Sequence, residues 1–219
     1  MPRMPNVAGP ARRGRPGHDR ADVIRAGVQL FNEQGYEATS VSDLTGRLGL
    51  TKSALYHHVD SKEQILQVAL EDALGGLEQA LTDALSRPTA SERLTGIIHG
   101  AVRVLTERQP QVTLLLRLRG NSAIETAALA RRRSFDHTVT QLVREAQSEG
   151  LVRTDLDAGV ATRLIFGMIN SVVEWYRPDG PVDPELLAEE ILTVVLRGLR
   201  AHDDGLPPQG GTGGESPSP

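Results

Sequence analysis

Residues 51–62 read TKSALYHHVDSK, gathering two adjacent histidines, a tyrosine and two lysines in a chain that holds only seven aromatic residues. Histidine can ligate a metal or move a proton near neutral pH, whereas lysine and tyrosine donate hydrogen bonds to phosphate. A shared metal needs converging ligands, but neighbours on a helix diverge by about 100°, so His57 and His58 do not suit one ion. The chain has no cysteine, no His-x-x-x-His or Glu-x-x-His pair and no glycine-rich phosphate loop, and His99 and His137 stand alone on helical segments as structural residues. A helical enzyme or metal protein therefore loses support, and neither catalytic residues nor a cofactor are expected. Contact with nucleic acid is the third chemistry open to this stretch.

Charge distribution agrees. The net charge of −4 conceals an asymmetry, since residues 1–62 carry 9 Lys+Arg against 6 Asp+Glu and the remainder carries 15 against 22. A basic segment on an acidic body predicts phosphate contact confined to one end. Without cysteine there are no disulfides or thiolate sites. No apolar run approaches the roughly 20 residues of a membrane span, and the arginine- and proline-rich N-terminus lacks the apolar centre of a secretory signal. These features predict a soluble cytoplasmic protein with no membrane partner.

The donors need helices to hold them. Residues 1–18, with four prolines, three glycines and four arginines, read as a disordered basic arm, and residues 203–219 as a disordered tail. Between them the periodicity is helical, with no convincing period-2 strand. A first helix is predicted from Asp19 to Gln34, with Ile24, Val28 and Phe31 inward and Gly35 as its stop. Ser40 and Asp43 open a short second helix to Leu48, Gly49 breaks it, and Thr51 caps a third from Lys52 to His58. Ser61 and Gln64 form a capping box for a fourth, which carries Leu66, Leu70, Leu74, Leu77 and Leu81 on one face, with Gly75–Gly76 as a place to bend. Further helices are predicted over 91–108, 111–118 with Pro110 as the break, 121–149 and 155–176. A last one starts at Asp183-Pro184 and runs to Ala201 with Leu187, Ile191, Val194 and Val195 inward. The 155–176 helix bears two apolar rows, Leu156/Val160/Leu164/Met168/Val172 and Ala161/Ile165/Ile169/Val173, more than one core side absorbs. A homodimer through the last two helices is the expected outlet.

The expected fold is all-α: a three-helix helix-turn-helix domain over 19–66 and a larger helical effector-binding and dimerisation domain over 67–202. The second helix would brace the third, whose N-terminal side chains reach base edges in a major groove about 12 Å wide. Phe31, Gly35, Tyr36, Thr39, Ser40 and Val41, followed by LGLTKSALYHHVDSKEQIL over residues 48–66, resemble the DNA-binding domain of the TetR family of bacterial transcriptional regulators. Val59 and Gly46 depart from that family's usual phenylalanine and alanine, both read as packing positions. The resemblance implies that Thr39, Tyr56 and Lys62 clamp phosphates, with Ser40 beside them, while Thr51, Lys52, Ser53 and His57 face bases or adjacent phosphates. Plainer roles stand beside these: Thr51 and Ser61 as caps, Tyr56 as a packing residue. In RRGRPG, residues 12–17, Arg13 and Arg15 resemble minor-groove arms, or else form a solvated tail that only raises local positive charge.

The second domain is expected to bind a small-molecule effector. Residues 163–192 resemble, more loosely, the C-terminal part of TetR regulators of fatty-acid, steroid and phenylacetate catabolism, which implies an acyl-coenzyme A thioester. Arg117, Arg119 and Arg131, with Asn121, Phe166, Asn170 and Trp175, make the candidate ligand set, Arg132 and Arg133 standing beside Arg131 as further cations, because guanidinium groups near apolar walls suit an anion with a greasy tail. For each arginine an exposed helix face or an ion pair is the alternative. Phe166, Trp175 and Tyr176 also suit a core or a dimer interface. Two other functions compete: response to a different apolar or anionic metabolite or drug, and constitutive DNA binding with no effector.

Overall fold

The structure is a computed structural model that describes residues 18–199. Arg13, Arg15, the expected arm except His18, and the expected tail lie outside the described residues. Among the described residues every regular element is an α-helix, and none is long and apolar enough to cross a membrane. The chain divides into two compact units at Val68/Ala69.

The first unit holds α1 (Arg20–Gln34), α2 (Val41–Leu48), α3 (Lys52–Tyr56) and the start of α4 (Lys62–Leu85). Asp19 and Asp22 cap α1 reciprocally, and Ser40 and Asp43 do the same for α2, so each helix begins with its free amides satisfied. Val23, Val28, Phe31, Leu44, Leu55, Val59, Ile65 and Leu66 close the core. Val23 takes the inward position expected of Ile24, which is only half-buried. Gly27 lets α1 approach α4: a Cβ there would meet Ile65 Cγ2 at 2.7 Å. Gly46, by contrast, is exposed and an added methyl meets nothing within 4 Å, so it is not the packing position expected.

The third helix is shorter than predicted. It ends at Tyr56, where His57 and His58 donate to the carbonyls of Ala54 and Leu55 and tighten the chain so that Val59 turns inward. The box opening α4 is also displaced. Ser61 Oγ accepts from Gln64 N at 3.2 Å, but Gln64 Oε1 reaches back to Asp60 N, not to Ser61 N.

The second unit contains the remainder of α4, α5 (Ala90–Glu107), α6 (Gln109–Leu116), α7 (Ala123–Ser148), α8 (Ala158–Trp175) and α9 (Pro184–Leu199). Central α5 is buried around most of its girth and packs against α6, α7, α8 and α9. Pro110 sits in the first turn of α6, where its missing N–H costs nothing, so the break falls two residues earlier, at Arg108. α4 runs unbroken through Gly75–Gly76, and the missing side chain of Gly76 leaves room for the Arg108 guanidinium. On α8 one predicted row, Ala161/Ile165/Ile169, is buried, and the other is exposed at Val160, Leu164 and Met168 but turns inward at Val172. On α9 Leu187, Ile191 and Val195 point inward, but Val194, expected with them, faces outward with Leu186.

Candidate nucleic-acid interface and effector cavity

Gly49 ends α2 in the left-handed conformation (φ 65°, ψ 30°) and redirects the chain into α3 within three residues. Thr51 serves as the N-cap of α3, its hydroxyl accepting from Ala54 N at 3.2 Å, which is the plainer of its two expected roles. Leu55 is buried on the inward side of α3. The opposite side presents Lys52, Ser53, Tyr56 and His57 to solvent, so four of the expected contacts share one open face. Tyr56 is 49 % exposed, leaving its hydroxyl at the surface.

Three other expected contacts have internal duties. Thr39 is 2 % exposed and donates its hydroxyl to the Gly35 carbonyl at 2.7 Å, so its side chain shapes the α1–α2 turn and does not meet a phosphate in this conformation. Ser40 Oγ donates to Asp43 Oδ2 at 2.6 Å, which with the backbone bond holds the Asp43 carboxyl below the usual range. Lys62, assigned by resemblance to a phosphate, donates instead to the carbonyls of Tyr36 and Thr39, both at 3.0 Å, with its ammonium 4.2 Å from the centre of the Tyr36 ring. Tyr36 in turn stacks edge-on against Phe31 at 5.0 Å. This knot ties the α1–α2 turn to the start of α4. One residue went unnoticed in the sequence: His18, whose ring Nε2 lies 2.9 Å from the Leu48 carbonyl, at the end of α2. Thirty residues separate the two, and no local pattern announces such a bond.

In the second unit a small cavity of about 30 Å³ lies among α4, α5, α6, α7 and α8. Leu77, Leu105, Val112 and Leu115 are among its apolar walls, and Phe135 and Phe166 meet edge-to-face at 5.4 Å across it. Phe166 and Asn170 of the expected ligand set line it; Arg117, Arg119, Asn121, Arg131 and Trp175 do not. Arg131 is engaged elsewhere, bonded to Glu78 at 2.8 and 2.7 Å and also to Glu71, which raises its own pKa and lowers that of Glu71. Arg117, Arg119, Asn121 and Trp175 are exposed. Arg132, counted in the sequence among the cations beside Arg131, lines the cavity too; Asp136 was passed over, because a charge within such a run on a helix ordinarily marks a solvated face. A wider cleft of about 770 Å³ lies among α4, α5 and α9, rimmed by charges that include Arg103, Glu107 and the His99–Glu189 pair at 3.3 Å. Both are partly open, but the smaller cavity has the more apolar lining, which makes it the better effector candidate. Among the described residues no three acidic or histidine side chains could hold a metal ion.

Residues 23–69 match the family profile described as "Bacterial regulatory proteins, tetR family", and residues 87–199 match "Tetracyclin repressor-like, C-terminal domain". The HTH-type transcriptional repressor KstR2 of Mycolicibacterium smegmatis is 28 % identical over 194 residues, covering 84 % of this chain and 92 % of that protein. Among solved structures, a TetR-family regulator of Streptomyces coelicolor A3, SCO3833, is 44 % identical over 82 % of this chain and 91 % of its own, with a TM-score of 0.76. The ketosteroid transcriptional regulator KstR2 of Mycobacterium tuberculosis superimposes with a TM-score of 0.77 at 26 % identity, over 90 % of this chain and all of its own.

Proposed function

The chain belongs to the TetR family of DNA-binding transcriptional regulators, and from that premise we propose that it is a dimeric repressor of a palindromic operator, released by a small molecule with an apolar body. The observation that carries the reading is the open face of α3, where Lys52, Ser53, Tyr56 and His57 stand together above a core built from Leu44, Leu55 and Val59. Lys52 and Ser53 occupy the first turn of α3, the part that reaches bases in helix-turn-helix proteins. Tyr56 serves as a phosphate donor, and Thr39, Ser40 and Lys62 hold the frame.

Dimerisation uses the outward rows of α8 and α9. Leu164 and Leu186 are 66 % and 65 % exposed, and Val160, Met168 and Val194 are further exposed apolar side chains of these two helices. A patch of this kind on a soluble unit is a protein contact waiting for a partner. Two copies related by a twofold axis place two α3 helices on half-sites about one helical turn apart. The effector occupies the α4–α8 cavity and favours a conformation whose paired α3 helices no longer match the half-site spacing. The apolar walls support a lipid-derived ligand, as does the similarity to a protein described as a ketosteroid regulator. We take acyl-coenzyme A thioesters as the first class to test, the thioester's acyl part entering the cavity.

The decisive experiment is a mobility-shift assay on the DNA upstream of the chain's own coding sequence, with and without a panel of acyl-coenzyme A esters. Binding to a palindrome there, relieved by one of the esters, is the expected result. Failure to bind any such site overturns the repressor reading, and binding that every ester leaves unchanged overturns the effector assignment alone.

A further inference from the structure

The α4–α8 cavity contains a polar seam that a purely hydrocarbon ligand would leave unused. Arg132 and Asp136 on α7 and Asn170 on α8 all line it, amid Leu105, Phe135 and Phe166. On the same face of α7, one turn beyond Asp136, Thr140 donates to the Asp136 carbonyl at 2.8 Å, its hydroxyl oxygen lying 3.3 Å from Thr162 Oγ1 of α8. The Asp136 backbone is thus served, but its carboxylate accepts no hydrogen bond among the described residues, although the guanidinium groups of Arg132 and Arg163 are near enough to be felt. Partial burial outweighs those two charges and pushes its carboxyl pKa up. The carboxylate is partly withdrawn from water and has no protein donor, so an incoming donor gains more from it than from a fully solvated one.

We infer that Asp136 is a specificity residue of the effector site and that the ligand is an apolar skeleton bearing a hydroxyl group, donated to the Asp136 carboxylate. The inference rests on the reading of this cavity as the effector site. A hydroxyl suits the seam because it can donate to Asp136 while accepting from Arg132 or the Asn170 amide. A carboxylate or phosphate would set acceptor against acceptor at Asp136 and is disfavoured there. At about 30 Å³ the cavity now has room for little more than one water. Entry of the ligand therefore parts the Phe135–Phe166 contact.

The test is calorimetric titration of the full chain with two matched pairs that differ by one hydroxyl: octanoyl- and 3-hydroxyoctanoyl-coenzyme A, and dodecanoate and 12-hydroxydodecanoate. In at least one pair the hydroxylated member should bind about tenfold more tightly, the effect of one hydrogen bond to a charged group. Asp136→Leu should abolish that preference, and Asp136→Asn, which keeps a carbonyl acceptor, should retain part of it. Melting curves of both variants at or above wild type establish that they fold. Equal binding within both pairs, or a preference that survives in Asp136→Leu, overturns the inference and leaves the acyl-thioester reading intact. A preference confined to the free acids upholds the inference and removes the thioester; no binding by any of the four overturns both.

Discussion

At the scale of single residues, two lysines ten positions apart have opposite duties. Lys52 is exposed on the open face of α3, whereas Lys62 spends two of its three donors on the carbonyls of Tyr36 and Thr39. Removing a phosphate contact lowers the salt dependence of DNA binding, because one fewer counterion is released; removing a positioning contact lowers affinity without that signature. Lys52→Ala should therefore flatten the slope of log affinity against log salt by about 1 if it meets a phosphate, or change discrimination among operator variants if it meets a base. Lys62→Met should weaken binding to all operators about equally with the slope unchanged. Fluorescence anisotropy across a salt series separates the two, and a slope change in Lys62→Met would return that residue to the phosphate set. The sequence presents both lysines as cations flanking a short helix; only the fold reveals which has found its partners inside the chain.

At the scale of elements, glycines and apolar rows give the sharpest tests. Gly46 is exposed inside α2, has no positive φ, and has empty space where a methyl would go, so Gly46→Ala should stabilise by roughly 0.5–1 kcal/mol in urea unfolding. Gly27 is the opposite case. Its missing Cβ is filled by the branched Ile65 side chain, itself fully buried, so Gly27→Val should destabilise by about 1–3 kcal/mol and reduce DNA binding through loss of fold. For the outward rows, Leu164→Glu combined with Leu186→Glu should yield a monomer by light scattering, with a melting curve close to wild type at low concentration. A double variant that remains dimeric places the contact on another surface. Helix number and order were legible because caps and breaks are local signals, as at Ser40, Thr51, Gly49 and Asp183. Which of the two apolar rows of α8 faces inward was not legible, since periodicity gives a helix its faces but not its neighbours.

At the scale of the whole molecule, the ionisable groups respond to acid in two directions. Asp43, Glu33, Glu71 and Asp155 have carboxyl pKa values lowered by capping or by arginine, so the stability they contribute is present above the unfolded-state values and is lost as pH falls through the folded ones. Asp136 has a raised value, so its ionised form disfavours the fold, and this cost fades as pH falls through that raised value. Asp136→Asn should therefore melt above wild type at pH 8, with the two curves converging as acid protonates the native residue. A variant that melts lower at pH 8 would show that the carboxylate is a structural group. The candidate cavity was the least legible part of the chain. Arg132 and Asp136 come from α7, Asn170 from α8 and Leu105 from α5, and no stretch of sequence brings them together.

Arg131 holds α4 at Glu71 and Glu78, seven residues apart. At 1.5 Å per residue their backbones lie about 10 Å apart, two turns of one face of α4, yet both carboxylates converge on a single guanidinium. One side chain of α7 thus staples two turns of α4, and because all three partners are partly exposed, salt should loosen both turns together and not one at a time.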